Sequence, residues 1–210
     1  MMTSGQEPRS TNTELRSHVS KHVSQMQRRY LAKDSRARAT LAELRRANPS
    51  SEEGVLQALT IGFQEVPASL IGYGDEPSRA EAAIAASLIL YATHQQSLSE
   101  GAHQSGWGLG RAVRRLANPS EGDTREKPVM RRFNALATST SLAEATVHLR
   151  GLITQFRNEK IPLDYGRLAE DLYWLQSPQS RTRVRLGWAR DLARIDSPTQ
   201  SPDTTEPAEQ

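Results

Sequence analysis

From Ala82 to Ala92 the chain reads Ala-Ala-Ile-Ala-Ala-Ser-Leu-Ile-Leu-Tyr-Ala, apolar on every side of a helix rather than along one stripe. A helix without a polar face has to be enclosed by other elements, and small alanines let those neighbours come close. Ser78 followed three positions later by Glu81 has the form of a capping box, which satisfies two orphaned N–H groups at a helix start. The run is shorter than the ~20 residues that cross a bilayer. It predicts the central member of a helical bundle in a soluble, cytoplasmic protein with no membrane partner.

Other segments supply the enclosing helices. Leu15, Val19, Val23, Met26 and Tyr30 recur at spacings of four and three, which places them on one helical stripe, with Thr11 and Glu14 as a capping box at its start. Ala37, Leu41 and Leu44 make a second helix stopped by Asn48-Pro49, and Ser50 with Glu53 opens a third carrying Val55, Leu56 and Leu59. Leu109, Ala112, Val113 and Leu116 form a narrow stripe, and Phe133, Leu136 and Ala137 another. Ser141 with Glu144 begins a strong helix that buries Leu142, Ala145, Leu149, Leu152, Ile153 and Phe156. Pro162 and Asp164 begin the next, with Leu168, Leu172 and Leu175 inward, and Val184, Trp188 and Leu192 mark the last. No strand pattern and no solenoid repeat occurs.

The expected fold is therefore all-α, with two helical bundles, 14–117 and 129–195, joined by a polar linker at 118–128. Residues 1–13 and 196–210 hold mainly Ser, Thr, Pro, Gln and acids. They carry too few apolar groups to offset the entropy of ordering, and both are expected to be disordered tails.

Charge narrows the function. Residues 16–46 hold nine bases against Asp34 and Glu43, and residues 181–194 hold five arginines against Asp191. Residues 51–110 hold seven acids against the single base Arg79. Such segregation predicts one basic and one acidic surface. Of the 27 bases, 23 are arginine, whose planar fork pairs phosphate bidentately and stays charged at any physiological pH. With no cysteine in the chain, disulfide and thiolate chemistry are excluded.

Catalytic and cofactor patterns do not assemble. Glu14, His18 and His22 share a helix face at i, i+4 and i+8, but no HExxH occurs and zinc catalysis wants a third strong ligand with a nearby acid or base. Gly106-Trp107-Gly108-Leu109-Gly110 lacks both the preceding strand of a dinucleotide fingerprint and the Gly-Lys-Ser/Thr of a P-loop. It reads as a tight entry into the helix carrying Arg111 and Arg114. His94 beside Gln95 reads as a structural hydrogen-bonding residue. Asp164 reads as an N-cap, and Trp174 and Trp188 as packing rings. No catalytic residue, metal or cofactor is expected.

Arginines recur on separate helices: Arg45 and Arg46 at the end of the second, Arg131 and Arg132 just before the inward Phe133, and Arg150 between Leu149 and Leu152. At this point the chain resembles the CasB family, the small subunit of the type I-E CRISPR Cascade complex. The resemblance is carried in order by Leu90-Tyr91-Ala92-Thr93-His94-Gln95-Gln96, Gly108-Leu109-Gly110-Arg111-Ala112 and Arg131-Arg132-Phe133-Asn134-Ala135-Leu136. His148-Leu149-Arg150-Gly151-Leu152, Ile161-Pro162-Leu163-Asp164-Tyr165 and Trp188-Ala189-Arg190-Asp191 complete it. It spans about residues 26 to 194 and leaves out both tails.

The resemblance implies a non-enzymatic helical subunit, present in two copies head to tail inside a crRNA-guided complex. Its partners are then crRNA, target DNA with its displaced strand, and the backbone and large subunits. It implies nucleic-acid contacts at Arg45, Arg46, Arg111, Arg131, Arg132 and Arg150; local charge adds Arg36, Arg38, Arg114 and Arg185. A helix-turn-helix regulator would instead concentrate base-reading residues on one helix, a basic scaffold would bind acidic proteins alone, and a hydrolase would turn over a phosphodiester with a metal.

Overall fold

The structure, a computed structural model, describes residues 8–49, 51–62, 66–117 and 126–194. The described residues are helical and contain no strand: α1 Pro8–Leu31, α2 Ser35–Arg46, α3 Glu52–Gly62, α4 Arg79–Gln95, α5 Leu109–Ala117, α6 Glu126–Thr138, α7 Leu142–Asn158, α8 Tyr165–Leu175 and α9 Pro178–Ala193. A short 3-10 turn, Ala68–Leu70, lies between α3 and α4.

The starts of the helices follow local chemistry. Ser78 Oγ accepts from the Glu81 N–H at 3.2 Å, and the Glu81 carboxylate accepts from the Ser78 N–H at 2.6 Å and the Gly72 N–H at 3.1 Å. The expected capping box thus starts α4 and also holds the preceding loop. Asp34 caps α2 by accepting from the N–H groups of Arg36 and Ala37. Ser141 caps α7 through Glu144 N–H, while the Glu144 carboxylate reaches Thr140 N–H instead of closing a box on Ser141.

Three boundaries differ from expectation. α1 begins at Pro8, so the expected tail is too long by six residues and Thr11 is not its start. Proline suits the first turn, where its missing N–H has no partner to lose, and Asn12 one turn on is buried. α6 begins at Glu126, with Pro128 in its first turn, so the expected linker runs three residues too far. At α3 the cap is Ser51, whose Oγ accepts from Gly54 N–H; Ser50 lies outside the described residues. Residues 1–7, 118–125 and 195–210, where the tails and most of the linker fall, also lie outside them.

α4 is the axis of the molecule. Ala83 through Gln95 are all buried, and the helix packs against α1, α2, α3, α7 and α8. α8 also packs on α1, and α9 on α5. One apolar cluster runs from Leu15 in α1 to Trp188 in α9 and includes helices from both sides of residues 118–125.

Glycine permits two of the close approaches. A Cβ on Gly110 would stand 2.1 Å from the Trp188 carbonyl oxygen of α9, and one on Gly166 would stand 2.0 Å from Ser20 Oγ of α1.

Candidate nucleic-acid interface

Two of the expected arginines, Arg132 and Arg150, are held at α7, where it meets α6 and the end of α2. α7 buries Ala145, Leu149, Leu152, Ile153 and Phe156, which leaves Arg150 at the edge of its inward stripe. From there one Arg150 Nη donates to the Arg45 carbonyl at 3.2 Å, in the last turn of α2, where carbonyls lack helical partners and a cation is favoured. One residue on, a Cβ on Gly151 would lie 2.9 Å from Cδ, Nε and Cζ of Arg132. Arg132 of α6 therefore lies across α7 at its glycine. Arg150 thus meets the end of α2 that carries Arg45 and Arg46, and Arg132 crosses α7 one residue on, with exposed Arg131 next to it in sequence. None of these five makes an ion pair among the described residues.

Arg111 and Arg114 belong to a different group. The Gly106 loop turns through a left-handed φ of 83° into α5, and Arg111 lies 4.1 Å over the Trp107 ring, a cation–π contact. With Gly106, Arg167, Asp191 and Arg194 they line a cavity of about 70 Å³. Arg167 pairs with Asp191 at 2.7 Å, so three further guanidinium groups share a cleft holding one carboxylate. Gly108 allows this packing, since a Cβ there would collide with Asp191 and Arg167. The glycine motif is thus an entry into the arginine helix, as expected.

The remaining expected arginines lie apart. Arg185 donates to the Ser139 carbonyl at 3.0 Å, and Arg181 to the Thr140 carbonyl, so both clasp the chain leaving α6. Arg36 and Arg38 are exposed on α2, nearer its start than Arg45.

Histidines serve the core. His94 Nδ1 lies 3.0 Å from the Tyr165 hydroxyl, fully buried, and burial pushes its pKa down to about 4. His103 Nδ1 accepts from Tyr165 N–H, and burial, partly offset by Asp164, lowers its pKa too. Glu14 turns to Ser69 Oγ while the His18 and His22 rings stack 6.2 Å apart. Among the described residues no group of three or more His, Asp or Glu is placed to hold a metal ion, and no helix is long and apolar enough to cross a membrane.

Periodicity did not show one set of contacts. Asp164, 1% exposed, accepts from the Arg16 guanidinium at 3.3 Å, Gly106 N–H at 2.9 Å and Arg167 N–H at 3.0 Å. Its expected capping role holds, but it also ties α1 and the Gly106 loop to α8. Only the N-cap part had a local signal.

The family model for CRISPR-associated protein Cse2 matches residues 40–192, from α2 through α9. The chain belongs to the Cse2 family. Cse2, also called CasB, is a type I-E Cascade subunit family, and the crystal structure of CasB from Thermobifida fusca is 34% identical to this chain. That match covers 85% of this chain and 97% of the other, with a TM-score of 0.69. No curated protein matches. The Cse2 match includes Arg45, Arg46, Arg111, Arg131, Arg132 and Arg150 and begins after Arg36 and Arg38.

Proposed function

We propose that this Cse2 chain is the non-catalytic small subunit of a cytoplasmic type I-E Cascade complex. It grips nucleic-acid backbone through the arginines of α2, α6 and α7, without reading sequence. The reading is supported by Arg150 braced on the end of α2 that bears Arg45 and Arg46 and by Arg132 laid across α7 one residue on. None of the four is neutralised by a described carboxylate. Guanidinium groups held in place lose less freedom on meeting phosphate, and each phosphate neutralised releases condensed counterions.

Guide pairing supplies specificity in such complexes, and the exchange of DNA duplex for RNA–DNA duplex is near balance. A modest backbone grip then tips the balance toward the opened target. The crRNA–target duplex, the displaced strand, the backbone and large subunits and a second copy of the chain are the partners this reading assigns. Arg111 and Arg114 form a second contact region. Arg36, Arg38 and Arg185 contribute charge around these surfaces.

The test is binding of unrelated single-stranded and duplex DNAs across a salt series, for the wild type and for Arg131→Ala with Arg132→Ala. The double variant is expected to weaken binding to all sequences alike. Its slope of log affinity against log salt should be shallower by about 0.7–0.9 for each phosphate that it no longer neutralises. An unchanged slope would overturn the phosphate assignment, and no binding to any nucleic acid, with binding to acidic proteins alone, would favour a scaffold.

A further inference from the structure

Between α1, α2 and α3 lies a cavity of about 210 Å³ that none of the α6 and α7 arginines lines. Liquid water takes about 30 Å³ per molecule and drug-sized pockets begin near about 300 Å³, so the space suits one compact group. Met26 and Ile61 form apolar wall; His22, Arg29, Arg36 and Thr40 supply donors.

Three observations give the cavity a chemical preference. His22 Nε2 is buried with no hydrogen-bond partner among the described residues, an unmet bond that a ligand in the cavity completes. The Arg36 guanidinium is exposed and makes no ion pair among the described residues. Arg29 is held through Nε by Asp34 at 3.0 Å, and Asp34 is itself fixed as the cap of α2, so the remaining Arg29 N–H groups are positioned rather than loose. Burial, then His18, lowers the His22 pKa. The positive charge at the cavity therefore comes from the arginines, and His22 donates to an anion in its Nε2–H tautomer.

We propose that this cavity is a phosphate-binding site. Donors from two helices suit a tetrahedral anion, whose oxygens point several ways, better than a planar carboxylate. The phosphate arrives either free (as the inorganic ion or on a mononucleotide) or as one unit of a nucleic-acid backbone. Four of the six residues named, His22, Met26, Arg29 and Arg36, precede residue 40, where the family match begins. Apart from Arg36, whose charge the proposed function counts around the arginine surfaces, the site shares no residue with those surfaces.

The experiment follows the His22 ring resonances of the full chain by NMR during titration with inorganic phosphate, adenosine monophosphate or a short single-stranded DNA. Sodium chloride of matched ionic strength is the control. A saturable shift with phosphate is expected, weakened about tenfold in Arg36→Ala, as loss of a charge-assisted hydrogen bond implies. Thr40→Val should weaken it by a smaller factor with the helical circular dichroism retained. Shifts that merely track the chloride control, or that Arg36→Ala leaves unchanged, would overturn the site.

If Thr40→Val also weakens the response to DNA, the phosphate is a backbone unit. If only the small phosphates are affected, the ligand is free. The Arg131→Ala, Arg132→Ala chain should keep its full response to inorganic phosphate, so failure of the arginine surface and failure of this cavity are separately visible.

Discussion

His94 and Asp171 face the same solvent pH with opposite consequences. His94 is neutral in the folded chain down to about pH 4, whereas in the unfolded chain it binds a proton below its ordinary value near 6.5. Its contribution to stability is present above that value and is lost as pH falls toward 4, by about 3 kcal/mol in all. The lowered pKa values of His22 and His103 act in the same direction. Asp171 accepts from Trp188 Nε1 at 2.7 Å, yet burial pushes its carboxyl up to about 7. Its contribution is full below the ordinary carboxylate value and is lost as pH rises toward 7. The two slopes oppose between about pH 4 and 6.5. Urea unfolding at pH 4.5 and 7.5 should show a steeper acid loss in Asp171→Asn than in the wild type, and a shallower one in His94→Gln. Equal pH dependence in all three would disprove the account.

At the scale of elements, α7 combines two roles at adjacent positions, Arg150 on α2 and Gly151 under Arg132. Gly151→Ala separates them. Alanine favours a helix interior by about 1 kcal/mol over glycine, and the group it displaces is a flexible side chain. Thermal stability should therefore hold or rise while affinity for DNA falls several-fold, a split that a general folding defect cannot produce. The helices themselves were largely legible: Ser78 with Glu81, Ser141 and Asp164 mark their starts. The leucines expected inward on α7 and α8 are buried except Leu142, only partly covered at the first turn of α7, while Thr146, Tyr165 and Ala169 are buried without having been selected. The misplaced ends, at Pro8, Ser51 and Glu126, are where polar residues and proline serve equally as loop or first turn. The role of Arg185 was illegible for another reason. Its partner, the Ser139 carbonyl, is 46 positions away, and no local pattern distinguishes a solvated arginine from one that clasps a distant helix end.

For the whole molecule, the enclosed character of α4 was visible in eleven consecutive residues, Ala82 to Ala92, and the structure surrounds that helix with five others. What the sequence could not display is how the shell closes. The chain from Ala102 to Trp107 lies along Leu163 and Asp164, with Leu163 N–H on the Ala102 carbonyl at 3.0 Å and Asp164 N–H on the Trp107 carbonyl at 2.7 Å. Gln27 of α1 holds both the N–H and the carbonyl of His103. Asp164 then joins the Gly106 N–H and Arg16. A connecting loop so tied cannot open unless α1 and α8 part from it, and that parting breaches the common core. Its amide protons should accordingly keep the time of the slowest helix: in deuterated solvent, Gly106 N–H should exchange only as the whole chain unfolds, at a rate tracking the global free energy. A segment that looks like surface connection behaves in time as interior.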